Sequence, residues 1–145
     1  MTKMRVGVIG TGFIGPAHIE ALRRLPDVEV VALADVDDAT AAAKAASLGV
    51  PASFGDYRKL LARDDIQMVH VCTPNYLHFE MSKAALEAGK GVVCEKPLAV
   101  DVKEANELVE LAAKKELTNA VHFNIRYYPL MRQVKVMAEK GELGD

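Results

Sequence analysis

The chain has 145 residues, of which 50% are hydrophobic and 26% are charged, and this is typical of one compact domain with a buried core. Its 18 basic and 20 acidic residues leave a formal net charge of -2, which excludes the basic footprint of a nucleic-acid or anionic-membrane binder. Glycines interrupt the apolar N-terminal segment at Gly7 and Gly10, so it is too short for a signal peptide or membrane span. We therefore predict a cytoplasmic protein.

Short β-branched runs alternate with longer alanine- and leucine-rich amphipathic stretches, which is typical of βαβ units on a parallel sheet. In chain order, strands are predicted over residues 4–9, 28–34, 51–54, 68–72, 91–94 and 118–123. Helices are predicted over residues 13–25, 39–48, 57–61, 76–88 and 102–115, and an amphipathic segment carrying Leu130, Val134 and Met137 ends the chain. This pattern predicts an α/β fold with a doubly wound parallel sheet of order 3-2-1-4-5-6, which binds ligands beyond the carboxyl ends of its strands.

Helix boundaries are indicated by capping residues and by the spacing of apolar side chains. In the first helix the apolar positions at helical spacing are Ile14, Ala17, Ala21 and Leu25. The predicted caps are Asp37 or Asp38, Asp56, Asn75, and Asp101 paired with Glu104, and the predicted helix-ending glycines are Gly49 and Gly89.

A glycine-rich turn follows the first predicted strand directly and opens the first predicted helix, the context in which Gly-x-Gly-x-x-Gly binds a dinucleotide. Gly10 permits the tight turn, Gly12 leaves room for a pyrophosphate, and Gly15 lets the helix pack close to the strand. The helix N-terminus offers unpaired N–H groups to an anion. The whole loop is predicted to bind the cofactor: Gly10, Thr11, Gly12, Phe13, Ile14 and Gly15.

Asp35 lies 20 residues after Gly15, at the end of the second predicted strand. A carboxylate there can accept hydrogen bonds from the adenosine ribose and would repel a 2′-phosphate. This favours NAD, and NADP stays possible because another part of the chain could supply an arginine. The alternative is a plain glycine turn with a helix-capping aspartate.

Polar residues also follow the fourth and fifth predicted strands. After the fourth come Cys72, Thr73, Pro74, Asn75 and His78, all candidate cofactor contacts, with Asn75 equally able to cap a helix. After the fifth come Glu95 and Lys96; there the lysine ammonium could hydrogen-bond a substrate hydroxyl or the nicotinamide ribose, or could be an ordinary solvated surface group.

Cysteines and histidines indicate no metal or disulfide chemistry. Cys72 and Cys94 are the only cysteines, too few for a disulfide framework, and we expect them to be small buried hydrophobes. His18, His70 and His122 lack metal-ligand spacing, so each is expected to be a packed or surface histidine.

Four segments in this order resemble the Gfo/Idh/MocA oxidoreductases: the glycine loop, Thr73-Pro74-Asn75, Glu95-Lys96-Pro97 and Asn124-Ile125-Arg126-Tyr127. The resemblance implies a Rossmann domain and NAD(P)-dependent hydride transfer at a hydroxyl carbon of a sugar, inositol or related polyol. It also implies that Lys96 is the catalytic lysine beside nicotinamide and substrate, often followed by a cis peptide, and that Asn124 and Arg126 line the site.

The resemblance further implies a dinucleotide-binding domain over residues 1–125 and, over 126–145, a terminal helix that begins the crossover to an absent C-terminal α/β substrate domain. We accordingly expect this chain alone to bind dinucleotide without turnover and to form a homo-oligomer through exposed apolar surface. Two alternatives remain, a non-catalytic dinucleotide-sensing module and a methyltransferase that binds S-adenosylmethionine, although neither explains Lys96.

Overall fold

The computed structural model describes residues 3–144. Its strands are β1 (Met4–Ile9), β2 (Val28–Ala34), β3 (Ser53–Phe54), β4 (Met68–Val71), β5 (Gly91–Glu95) and β6 (Asn119–His122). Its helices are α1 (Gly15–Arg23), α2 (Asp38–Leu48), α3 (Tyr57–Leu61), α4 (His78–Glu87), α5 (Val102–Lys115) and α6 (Pro129–Glu139). The strands pair in parallel in the order β3-β2-β1-β4-β5-β6, which confirms the predicted sheet.

Two apolar clusters cover the two faces of this sheet. One contains Ile19 of α1 and Ala41 of α2, and the other contains Leu60 of α3, Ala85 of α4 and Leu108 of α5. Burial on both faces explains why β1, β2 and β4 have near-continuous apolar sequences rather than alternating ones. The carboxyl ends of the parallel strands all lie at one edge of the sheet, and the loops that follow the strands meet there.

Helix α1 differs from its prediction in both start and buried face. It begins at Gly15 with Pro16 in its first turn, where a proline is favoured because no N–H is needed, and Phe13 lies in the preceding loop, 99% exposed. Its buried residues are Gly15, His18, Ile19 and Leu22. The predicted face with Ala17, Ala21 and Leu25 was therefore wrong: small alanines tolerate exposure, and a polar histidine occupies the core side.

Most predicted caps are confirmed. Asp37, Asp56 and Asp101 accept hydrogen bonds from backbone N–H groups in the first turns of α2, α3 and α5 at 2.7, 2.9 and 2.8 Å. Asn75 is not a cap: it begins the 3₁₀ turn Asn75–Leu77, and α4 starts after Leu77 without a side-chain cap. Helices α2 and α5 end on left-handed residues, Gly49 and Glu116.

The C-terminal part of the described chain is a 3₁₀ turn, Asn124–Tyr127, followed by α6. Helix α6 is amphipathic as predicted, but Leu130 and Val134 are 68% and 41% exposed. Among residues 3–144 no helix has the length and apolar character to cross a membrane.

Candidate functional site

A cleft of about 940 Å³ opens at the carboxyl ends of the strands, as the sheet topology predicts. Among its lining residues are the predicted Gly10, Thr11, Gly12, Phe13, Ile14, Asp35, Cys72, Thr73, Pro74, Asn75, His78, Glu95, Lys96 and Asn124. Two predicted residues lie outside this lining. Gly15 is buried at the start of α1, and Arg126 borders a separate hollow with Arg132 and Lys135.

The three glycines of the loop have different surroundings. Gly10 has a φ of +87°, and a Cβ on Gly15 would lie 2.2 Å from the carbonyl oxygen of Gly10, so both positions require glycine for backbone reasons. A Cβ on Gly12 would meet nothing within 4 Å. Helix α1 has no side-chain cap. Pro16 has no N–H, and the Ala17 N–H donates to the Ile14 carbonyl at 3.0 Å, so of the first three helix residues only Gly15 could offer an N–H to an anion.

Asp35 binds the glycine loop from the end of β2. Its Oδ2 accepts hydrogen bonds from the Thr11 N–H at 2.9 Å and from the Thr11 hydroxyl, and its Oδ1 accepts the Val36 N–H at 2.8 Å. Oδ2 thus uses both of its lone pairs, whereas Oδ1 keeps a further one. The side chain can therefore hold the loop and still accept a hydrogen bond from a ligand hydroxyl.

The loop after β4 combines an unsatisfied hydroxyl with a buried imidazole. Thr73 Oγ1 is buried without a hydrogen-bond partner, so a hydrogen bond from this hydroxyl to a bound molecule would satisfy it. His78 is 1% exposed, and its Nδ1 and Nε2 lie 2.6 and 2.9 Å from the carbonyl oxygens of Pro97 and Thr73. Its ring thus connects two cleft loops, while its direct contact with cofactor stays a prediction.

Lys96 is exposed and lines the cleft. The Lys96–Pro97 peptide is cis, as the resemblance implied. Its neighbour Glu95 is buried, with a side chain only 9% exposed, although it borders the cleft.

A cluster of histidines surrounds Glu95, and sequence spacing did not predict it. His18 Nε2 and His122 Nδ1 lie 2.9 and 2.6 Å from Glu95 Oε1, and His18 Nδ1 lies 2.8 Å from His70 Nδ1. These residues come from α1, β4, β5 and β6, so the packing of α1 on the sheet brings them together. Ligand-type atoms of His18, Glu95 and His122 lie within 4.8 Å of one another.

Burial and hydrogen bonding determine the charges of this cluster. Burial opposes ionisation of Glu95, but hydrogen bonds from His18, His122 and the Lys96 N–H outweigh it and lower the pKa of the carboxyl. Burial lowers the pKa of His18 despite its bond to Glu95. Burial, with the nearby His18 and His122, lowers the pKa of His70 to about 4. The carboxyl of Glu95 is thus favoured in its ionised form, and His18 and His70 are favoured in their neutral forms.

The cysteines are buried and free, as predicted. Burial raises the pKa of the Cys72 thiol, and burial raises that of Cys94 to about 11. Neither is a thiolate nucleophile near neutral pH.

Residues of the β3–α3 segment also line the cleft, among them Tyr57 and Arg58, and sequence reasoning did not select them. Arg58 Nη2 donates to Glu80 Oε1 at 2.9 Å, and the guanidinium lies 4.6 Å from the centre of the Tyr57 ring. The predicted sheet order placed β3 beside β2, but the position of Arg58 two residues after the cap Asp56 did not indicate that its side chain reaches the cleft.

The geometry agrees with a comparison against protein families. Residues 4–123 match the Gfo/Idh/MocA model, described as an oxidoreductase family with an NAD-binding Rossmann fold. The chain belongs to the Gfo/Idh/MocA oxidoreductase family. Levoglucosan dehydrogenase of Pseudarthrobacter phenanthrenivorans is 35% identical over 99% of this chain and 39% of its own length.

Two solved structures have the same fold over this region. The 3-ketoreductase KijD10 of Actinomadura kijaniata, in complex with TDP-benzene and NADP, has a TM-score of 0.89 at 35% identity over 97% of this chain and 44% of its own. Scyllo-inositol dehydrogenase of Lactobacillus casei, with bound NAD(H) and scyllo-inositol, has a TM-score of 0.89 at 25% identity. The match covers 99% of this chain and 43% of the dehydrogenase. The chain thus spans less than half the length of these relatives.

Proposed function

We propose that this chain is the dinucleotide-binding part of a dehydrogenase that transfers a hydride between a nicotinamide and a hydroxyl carbon of a sugar, inositol or related polyol. The observation that carries the proposal is the meeting of the glycine loop and Lys96 in one cleft. The relatives with inositol and sugar substrates support the substrate class.

The residues of the cleft fit a dinucleotide. The open space above Gly12 suits a pyrophosphate, and Asp35 suits ribose hydroxyls. The unsatisfied Thr73 hydroxyl offers a further polar contact. Since Arg58 is already paired with Glu80 and Asp35 would repel a 2′-phosphate, we propose NAD as the preferred cofactor, with NADP as the alternative.

When bound, the nicotinamide would supply a two-electron hydride acceptor. Lys96 would hydrogen-bond the substrate hydroxyl and, as the carbon loses hydride, relay the hydroxyl proton to the solvent to which its side chain is exposed. We predict that Lys96→Ala, made in a longer form of the enzyme that has activity, abolishes turnover and leaves cofactor binding mostly preserved. Normal turnover would remove Lys96 from this role.

The proposal is tested by titrating the chain with NADH, NADPH and S-adenosylmethionine, following nicotinamide fluorescence and heat. We expect saturable binding of NADH, weaker binding of NADPH and none of S-adenosylmethionine. Binding of S-adenosylmethionine alone, or of no dinucleotide, would overturn the proposal.

A further inference from the structure

The carboxylate of Glu95 connects the histidine cluster to the backbone of Lys96. Its Oε1 lies at hydrogen-bond distance from His18 and His122, and its Oε2 accepts the Lys96 N–H at 3.1 Å. A buried carboxylate is costly unless donors satisfy its oxygens. Here the donors are His18 on α1, His122 on β6 and the Lys96 N–H. The Glu95 carboxylate is therefore held at one oxygen by the histidines and at the other by the Lys96 backbone.

The protonation pattern follows from the charge of Glu95. An ionised carboxylate only accepts hydrogen bonds, so His18 Nε2–H and His122 Nδ1–H are the donors. A neutral His18 that carries its proton on Nε2 then accepts the His70 Nδ1–H at its own Nδ1, and the two atoms are 2.8 Å apart. Each contact thus has one donor and one acceptor: Glu95 sets the tautomer of His18, and His18 in turn sets that of His70.

The other side of Lys96 is restrained as well. The carbonyl of Pro97 lies 2.6 Å from His78 Nδ1, and His78 itself is buried in α4. The exposed lysine side chain therefore projects from a backbone that buried groups hold at residues 95 and 97.

We propose that His18 and His122 are positioning residues for Lys96, which act by holding the Glu95 carboxylate. The inference rests on the proposed function, since it gives the lysine a cofactor and a substrate to be positioned against. Precise placement of a reacting group is worth much of an enzyme's rate, and a displacement of about 1 Å can cost roughly a hundredfold.

A divalent cation is the competing occupant of the same three side chains. Ligands of tetrahedral zinc lie ~2.0–2.1 Å from the metal and so about 3.3 Å from one another. Both histidine nitrogens instead converge on one oxygen, at 2.9 and 2.6 Å. This spacing favours hydrogen bonds, and the test includes the metal.

The experiment measures hydrogen exchange of the Lys96 amide by NMR in the 145-residue chain, in His122→Ala, and in His122→Asn, whose side-chain amide can replace the Nδ1–H donor. His122 lies at the end of β6 and its side chain is 36% exposed, so these variants should fold. Val121→Ala, at the exposed neighbouring position, is the matched control.

We expect His122→Ala to accelerate exchange of the Lys96 amide by roughly tenfold, the effect of weakening one charge-assisted hydrogen bond. His122→Asn should restore most of the protection, and Val121→Ala should leave it unchanged. Amides of β4, such as that of Val69, should exchange as in the wild type in every variant.

Three outcomes would overturn the proposal. The first two are unchanged exchange of the Lys96 amide in His122→Ala and no rescue of its protection by His122→Asn. The third is faster exchange of the Lys96 amide in the wild type after dialysis against EDTA, with protection restored by Zn²⁺. NADH titration of the same samples separates this inference from the proposed function. If the wild-type chain binds no NADH, the proposed function is wrong. The exchange rates of the Lys96 amide test the positioning role of the histidines separately.

Discussion

Asp35 illustrates how one side chain can serve both loop structure and ligand choice. It accepts the N–H and hydroxyl of Thr11, so removing it would disturb the glycine loop as well as any ribose contact. A substitution that keeps one acceptor oxygen and removes the charge separates the two effects.

We predict that Asp35→Asn lowers the preference for NADH over NADPH by roughly tenfold, because a like charge within a few ångströms costs more than ~1 kcal/mol. Fluorescence titrations with both cofactors give the ratio. Asp27→Asn, in the exposed turn before β2, should leave the ratio unchanged. An unaltered ratio in Asp35→Asn would refute the role of Asp35 in cofactor choice.

His70 couples stability to pH. Its pKa is lowered from 6.5 to about 4 in the folded protein, so the unfolded chain binds this proton first as the pH falls. The neutral ring makes its full contribution to the free energy of unfolding above pH 6.5, and this contribution is lost as the pH falls from 6.5 to about 4.

We predict a loss of about 3 kcal/mol in the free energy of unfolding across this window, at 1.36 kcal/mol per pKa unit. Urea denaturation at several pH values measures it. His70→Gln removes the titrating group and should flatten the profile, leaving the smaller contribution of His18. An equally steep profile in His70→Gln would contradict this assignment.

At the scale of elements, the turn between β1 and α1 sets how closely the helix approaches the sheet. Gly15 packs against the backbone of Gly10, whereas Gly12 faces open space. The two glycines therefore serve packing and ligand access separately.

This difference predicts opposite effects of two alanine substitutions. Gly15→Ala should lower the free energy of unfolding by about 1–3 kcal/mol, because its Cβ meets backbone that must shift. Gly12→Ala should leave stability within ~0.5 kcal/mol of the wild type and weaken NADH binding by filling the cleft. Urea denaturation and NADH titration of both variants check this; equal stability losses would show that the two roles are not separable.

At the scale of the whole molecule, β6, the turn after it and α6 leave apolar side chains exposed. Exposed residues of this region include Phe123, Ile125, Tyr127, Leu130 and Val134. Exposed apolar surface of this kind tends to be covered by association.

We predict that the chain self-associates through this face, as sedimentation velocity at several concentrations would show. Leu130→Lys should shift the equilibrium toward monomer by roughly tenfold or more, since it places a charge in apolar surface. Gln133→Lys introduces the same charge on α6 at another exposed position and should change little. A clean monomer at every concentration would count against the prediction.

Local sequence signals predicted the fold well because they depend on neighbours in the chain. Hydrophobic runs, glycines and capping aspartates such as Asp37 and Asp101 act within a few residues. They predicted every strand and the sheet order. Where local chemistry allowed two outcomes, as at Asn75 and on the buried face of α1, the prediction failed because packing made the choice.

The sequence by itself therefore determined the parallel sheet, the glycine loop and the edge of the sheet at which Asp35 and Lys96 lie, since topology places strand ends together. Only the tertiary structure decided that His18, His70 and His122 surround Glu95, and that Arg58 reaches the cleft. These contacts join residues from separate strands and helices. No spacing in the chain reports a distance that the packing of helices on the sheet creates.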